Sequence, residues 1–200
     1  MKPPAPPAVR QRAKPVPTAW RGDLKSILIS RNEIRDRLKE MAAAIEADHQ
    51  KRDLVVVSVL TGTVLFLADL IRHISLPMRL DFIGVSSYRN ATKPGQLVFT
   101  KELGIDVQGR DVLLIDDILD TGQTLHRVIG KLRQLKPRRI RTCVLLSKSA
   151  HRVKKIKAHY IGFEVPDEFV VGYGLDFAER YRNLPFIGVL KPEIYQQAAS

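Results

Sequence analysis

The stretch VLLIDDILDTGQTL at residues 112–125 constrains the fold of this chain more than any other. It begins as a β-branched, aliphatic run of strand length, passes through two adjacent acids and reaches a short Thr/Gly turn. A 3.6-residue apolar period then resumes at Leu125, Val128, Ile129, Leu132 and Leu135. The order is therefore strand, turn, helix.

The turn Asp120-Thr121-Gly122-Gln123-Thr124 opens that helix. Backbone N–H groups at a helix N-terminus lack intrahelical partners and sit at the positive end of the helix dipole, so a tight turn there cradles an anion such as phosphate. The hydroxyls of Thr121 and Thr124 would add donors. Asp116, Asp117 and Asp120 lie within five residues and would repel the anion unless sugar hydroxyls or a divalent cation stood between them. A phosphorylated sugar with Mg²⁺ meets both demands. Adjacent strand residues point to opposite faces, so Asp116 and Asp117 suit two separate contacts rather than one shared proton. Asp120 is left for a different task, accepting a proton or holding a developing positive charge. The plainer reading is an acidic turn in which Asp120 or Thr121 caps the helix. Position favours the ligand site, because α/β sheets bind ligands at the carboxyl ends of their strands.

Four apolar residues, two acids, two apolar residues and D-T-G-x-T resemble the signature of type I phosphoribosyltransferases, which use 5-phosphoribosyl 1-pyrophosphate. The segment PDEFVVGYGLDFAERYRNLPFIG at residues 166–188 resembles the hypoxanthine/guanine branch of that family, and the likeness runs from about residue 23 to residue 190. The resemblance implies a Rossmann-like α/β fold, a mainly parallel sheet flanked by helices, with a small hood built from the two end segments. It also implies Mg²⁺-dependent purine salvage, in which hypoxanthine or guanine gives IMP or GMP and pyrophosphate is released.

The resemblance further assigns residues. Asp120 to Thr124, including Gly122 and Gln123, would hold the 5′-phosphate, with Asp116 and Asp117 on the ribose hydroxyls and the metal environment. Asp120 would take the proton at purine N7. Asp176 looks like a ligand, partly through water, of a Mg²⁺ on pyrophosphate, and Arg182 like the arginine that contacts pyrophosphate oxygens. Lys148 would donate to the exocyclic oxygen at C6, selecting oxo-purines over adenine. Phe169 could stack on the purine and Val170 could offer backbone groups to its edge, although core packing is the commoner role for both. Ser87 and Tyr88 would belong to a loop that closes over the sugar.

A second strand, Gly/Thr turn and helix is written in residues 54–73, where LVVVSVL leads through Thr61-Gly62-Thr63 into VLFLADLIRH. An almost wholly apolar strand of that kind belongs to a parallel sheet covered on both faces. In the family this loop grips pyrophosphate and carries a cis peptide, here Leu60–Thr61. Hypoxanthine-type members usually have Lys or Arg at Thr61, so a charge-assisted contact is missing while the backbone donors of Gly62 and Thr63 remain. Elsewhere, strands are expected at Leu24–Ile29, Met78–Ser87, 141–146, 160–165 and 169–173. Ser30 and Glu33 form a capping box for a helix running to about His49, with Ile34, Leu38, Met41 and Ile45 as its apolar stripe.

Two hundred residues fit one domain with a proper core. Residues 1–22 are proline-rich and basic and read as a disordered arm, leaving 23–200 as the catalytic domain. No apolar run reaches membrane-spanning length and no apolar signal core opens the chain, so a soluble, cytoplasmic protein is expected. The single Cys143 permits no internal disulfide, and the histidines show no zinc-ligand spacing. A homodimer or homotetramer is expected.

The net charge of +12 raises the question of nucleic acid. The arm holds five of the basic residues and no acid, and much of the rest lies in residues 136–157, without the interleaved aromatics that stack bases. Steering of an anionic sugar explains the excess as well, and no nucleic-acid partner is expected. The rival from another class is an RNA-binding transcriptional attenuator built on the same fold. Asp120 and the segment from Pro166 onward speak against it.

Overall fold

The computed structural model describes residues 5–7, 9, 14–87 and 97–196. Strand β2 (Leu54–Leu60) is buried along nearly all of its length, as its uninterrupted apolar sequence requires. Strands β3 (Met78–Ser87), β5 (Asp111–Leu119), β6 (Arg139–Ser147) and β7 (Tyr160–Glu164) run parallel to it, and β4 (Leu97–Lys101) adds an antiparallel edge. The order is β4-β3-β2-β5-β6-β7.

Alternate residues of the central strands feed opposite layers. Leu54, Val56, Leu113 and Ile115 pack with α1 (Arg31–His49) and α2 (Val64–Ile71). Val55, Val57, Val112 and Leu114 pack with Leu125, Val128 and Leu132 of α3 (Gln123–Gln134). The chain order reverses between β2 and β5, and that reversal opens a crevice at their carboxyl ends. The site depends on this topology.

A second, antiparallel sheet of β1 (Leu24–Ile29), β9 (Ile187–Leu190) and β8 (Val170–Val171) forms the hood, joining the two ends of the domain. Leu24, Val171, Tyr181, Leu184, Phe186 and Leu190 make its own small core. The short helix α4 (Pro192–Gln196) follows β9.

The Ser30–Glu33 capping box forms, and Ile34, Leu38, Met41 and Ile45 are buried as the 3.6-residue period requires. Several boundaries differ from expectation, β6 running over 139–147 rather than 141–146 and β7 ending at Glu164 rather than 165. The strand expected over 169–173 is only Val170–Val171, because Gly172, Tyr173 and Gly174 all take positive φ and leave the extended region. Helix α2 ends at Ile71 rather than 73.

The arm also touches the folded body. Val9 N–H donates to the Glu164 carbonyl at 3.1 Å, Glu164 N–H donates to the Pro7 carbonyl at 3.3 Å, and Lys14 bridges to Ile27. Strands β7 and β1 are sheet edges with unpaired backbone groups, which is why the arm's prolines and short apolar residues find partners there.

Candidate active site

The carboxyl ends of β2 and β5 enclose a cleft of about 250 Å³ lined by Leu60, Gly62, Asp116, Asp117, Ile118, Asp120, Thr121, Gly122 and Thr124, among others. The two Gly/Thr turns found in the sequence therefore face one space. Their carboxylates lie inside it.

Backbone geometry makes the 120–124 turn an anion cradle. Gly122 is the residue that caps α3, with φ of 80° and no side-chain cap bond, so the helix end stays open. Neither Asp120 nor Thr121 caps it, although the Thr121 hydroxyl accepts a long bond from Gln123 N–H at 3.3 Å. On the outer side, successive carbonyls are tied down. Lys148 N–H donates to Leu119 O at 3.0 Å, and Val153 and Lys154 N–H both donate to Thr121 O at 3.0 Å. Arg152 Nε donates to Asp120 O at 2.9 Å, while its Nη2 reaches Leu119 O at 3.2 Å, Ser147 Oγ at 3.2 Å and Lys148 O at 2.5 Å. In a trans peptide the N–H points opposite its carbonyl. Fixing the carbonyls of Leu119, Asp120 and Thr121 outward thus turns the next residues' N–H groups the other way, and those of Thr121 and Gly122 have no acceptor among the described residues.

The adjacent acids do not diverge as the strand pleat led one to expect: both line the cleft and their side chains act on each other. Asp116 Oδ1 accepts from Asp117 N–H at 3.1 Å, and Asp117 Oδ1 accepts from Ile118 N–H at 2.7 Å. Burial pushes the Asp116 carboxyl well above the usual carboxylate range, and the neighbouring Asp117 charge adds to it. Asp117 is raised by burial too, against the opposing pull of the Ile118 N–H bond and the Arg182 charge. Asp120 Oδ1 is buried with no hydrogen-bond partner among the described residues. A buried carboxylate oxygen left without a donor is costly, and a ligand donor would relieve it.

The second turn presses on these acids. The Leu60–Thr61 peptide is cis, at the position the sequence resemblance indicates. A Cβ on Gly62 would fall 1.8 Å from Asp117 Oδ2, and a Cβ on Gly174 would fall 2.0 Å from the Gly62 carbonyl oxygen. Only glycine permits either approach. Thr63 is buried and spends its hydroxyl internally, 2.7 Å from Ser58 Oγ. Arg182 braces the segment that meets this turn, donating to the Gly174 carbonyl at 2.8 Å and pairing with Asp176 Oδ1 at 2.9 Å.

Asp116, Asp117 and Asp176 do not form one cage. Among the described residues no group of three or more His, Cys, Asp or Glu side chains is placed to hold a metal ion. Asp176 is turned instead to Arg182 and to the Glu179 N–H at 3.0 Å. The donor set still fits Mg²⁺ bound with substrate, since that ion keeps waters and phosphate oxygens and needs only one or two carboxylates. The Arg182 charge acts on the buried acid pair from the hood side.

Lys148 is 8 % exposed rather than solvated, and its ammonium has no partner among the described residues. Its place is fixed by the backbone bond to Leu119 beside the anion turn. Val170 is buried in β8 opposite Val189, whereas Phe169, just before that strand, is 38 % exposed. Ser87 ends β3, and Tyr88 lies outside the described residues.

The phosphoribosyl transferase domain profile matches residues 27–178, most of the chain. The chain belongs to the phosphoribosyltransferase family. Among curated phosphoribosyltransferases, the hypoxanthine-guanine enzyme of Bacillus subtilis (strain 168) is 47% identical over 175 residues, covering 87% of this chain and 97% of that protein. The one from Staphylococcus epidermidis (strain ATCC 35984) is 46% identical over 176 residues, covering 88% and 98%. A crystal structure of a hypoxanthine phosphoribosyltransferase from Staphylococcus aureus superposes with a TM-score of 0.84 at 42% identity, covering 90% of this chain and 99% of that one.

Two phosphoribosyltransferase residues at this site escape a sequence reading. Arg152 sits in a basic run that reads as solvated surface, yet its guanidinium also reaches Ile156 O at 2.8 Å and so spans five acceptors around the turn. Gly174 contacts Gly62 from a distant part of the chain. Only its glycine identity hinted at a close approach.

Proposed function

We infer that this protein transfers the 5-phosphoribosyl group from 5-phosphoribosyl 1-pyrophosphate to hypoxanthine, and to guanine, yielding IMP or GMP and pyrophosphate in purine salvage. The observation that carries the reading is the partnerless Asp120 oxygen beside an uncapped helix N-terminus, at the crevice where the sheet reverses. A proton acceptor and a phosphate cradle sit a few atoms apart. The relatives' names supply the base.

In this reading the 5′-phosphate takes the N–H groups of residues 121–124, of which those of Thr121 and Gly122 have no acceptor among the described residues, and the ribose hydroxyls donate to Asp116 and Asp117. Those donors relieve the buried acid pair. The backbone of Thr61, Gly62 and Thr63, with Arg182, receives the pyrophosphate, and Asp176 holds Arg182 or a water on the metal. Mg²⁺, when bound, neutralises the leaving group's charge. Lys148 donates to the purine C6 oxygen, Val170 offers backbone to the base edge and Phe169 stacks on the ring. The N9 lone pair forms a bond to the anomeric carbon as the bond to pyrophosphate oxygen breaks, and Asp120 accepts the N7 proton. Ser87 and Tyr88 close over the sugar.

The reading includes a homodimer or homotetramer in the cytoplasm. Among the described residues no helix is long and apolar enough to cross a membrane. The test mixes the protein with Mg²⁺, the activated sugar and each purine in turn, and follows nucleotide by chromatography. IMP and GMP are expected, with little or no AMP. Failure to form any nucleotide, together with salt-dependent RNA binding, would transfer the site to a regulator of the same fold.

A further inference from the structure

Phe169 stands at the rim of the hood with 38 % of its surface exposed, just before a strand of only two residues. A ring so placed keeps rotamer freedom that a stacking ligand must remove, and that loss weakens binding. The structure removes much of it in advance. Tyr195 lies almost parallel to Phe169, with ring centroids 4.9 Å apart and an interplanar angle of 17°. Phe177 meets it edge-on at 5.5 Å and 90°. Both geometries are favourable aromatic arrangements.

Tyr195 is itself held. It packs on the hood core with Ile194, and α4 starts directly after Lys191, whose N–H donates to the Asp23 carbonyl at 2.9 Å and whose ammonium donates to the Arg21 carbonyl at 2.7 Å. The Phe169 backbone is fixed by the same segment, because Leu190 N–H donates to the Phe169 carbonyl at 2.8 Å. The Tyr195 hydroxyl has no hydrogen-bond partner among the described residues, so the position uses the ring.

A ring has two faces. With Tyr195 stacked on one, only the opposite face of Phe169 is left for a flat ligand, in a plane that the perpendicular Phe177 helps to fix. We propose that Tyr195 is a positioning residue for the purine base, backing Phe169 so that its opposite face receives the ring. This rests on the reading of Phe169 as the purine-stacking aromatic.

The test compares wild type with Tyr195→Ala, Tyr195→Leu and Tyr195→Phe. Calorimetry measures IMP and, separately, ribose 5-phosphate, which lacks the base. Steady-state kinetics vary hypoxanthine and the activated sugar independently. Loss of one aromatic pair is expected to weaken IMP binding and raise the hypoxanthine KM by about two- to tenfold in the Ala and Leu variants. Ribose 5-phosphate affinity and the KM for the activated sugar should stay put, and Tyr195→Phe should restore the purine values.

Equal IMP affinity in wild type and Tyr195→Ala overturns the proposal. Tighter binding in Tyr195→Ala overturns it as well, because Tyr195 would then cover the face the base needs. A parallel loss of IMP and ribose 5-phosphate would mean general damage to the hood, again against it. Wild-type protein that binds ribose 5-phosphate but not IMP would sink the purine-site reading itself, and this inference with it.

Discussion

Arg152→Ala removes a guanidinium that spans the carbonyls of Leu119, Asp120, Lys148 and Ile156 and the Ser147 hydroxyl. Hydrogen bonds from a charged donor contribute roughly 1.5–3 kcal/mol each, but these share one part-buried group and the released carbonyls regain some water. A net loss of about 3 kcal/mol is the reasonable total. For a chain of this size that lowers Tm by about 6–12 °C. The catalytic effect is more diagnostic. Leu119 O keeps its bond from Lys148 N–H, but the freed Asp120 carbonyl lets its peptide plane turn, swinging the Thr121 N–H group off the phosphate. A misplacement of about 1 Å costs roughly 10²-fold in rate, so kcat/KM for the activated sugar should fall about 100-fold. Ribose 5-phosphate affinity should drop in step, and Arg152→Lys, which reaches fewer acceptors, should fall between. The assay is steady-state kinetics well below the variant's Tm, beside calorimetry with ribose 5-phosphate. A variant with the lowered Tm but sugar KM and ribose 5-phosphate affinity within about twofold of wild type would refute the shaping role given to the guanidinium.

Asp120→Asn keeps the shape but cannot accept the N7 proton, so kcat should fall by about 10²–10⁴ with IMP affinity nearly retained; an unchanged kcat removes Asp120 from the chemistry. Asp116→Asn tests the buried acid pair in ligand-free protein. Because burial raises the Asp116 pKa in the fold, the stability contributed by its protonated form is present below the ordinary carboxylate range and is lost as pH rises through the raised value. Asparagine carries no such loss. The variant should therefore melt higher than wild type at neutral pH, with the gap closing as pH falls in a thermal series; a gap that is constant with pH counts against an ionisable, destabilised Asp116.

The parts legible in the sequence are those written in short-range periodicity. Residues 112–125 show a strand ending in acids and a helix beginning after Gly122, and the structure has both, with Gly122 as the cap. The capping box at Ser30 and the buried run of β2 are equally local. What stayed hidden depends on partners far along the chain. Nothing near Arg152 says that its neighbours in space are carbonyls at 119 and 120. The contact of Gly174 with Gly62, and of Gly62 with Asp117, joins three segments that only the folded sheet and hood bring together. Nothing in the residues around Lys148 announces that it is buried, because burial is a tertiary property. The exposed Phe169 ring finds Tyr195 across the hood, 26 positions away.

The central claim is that the turn after Leu119 grips the nucleotide's phosphate while the acids of β5 hold its ribose. A crystal structure of the protein with IMP tests it directly. The account requires phosphate oxygens about 3 Å from the N–H groups of residues 121–124, with the ribose hydroxyls on Asp116 and Asp117. A phosphate bound elsewhere, with only solvent in that turn, would contradict it.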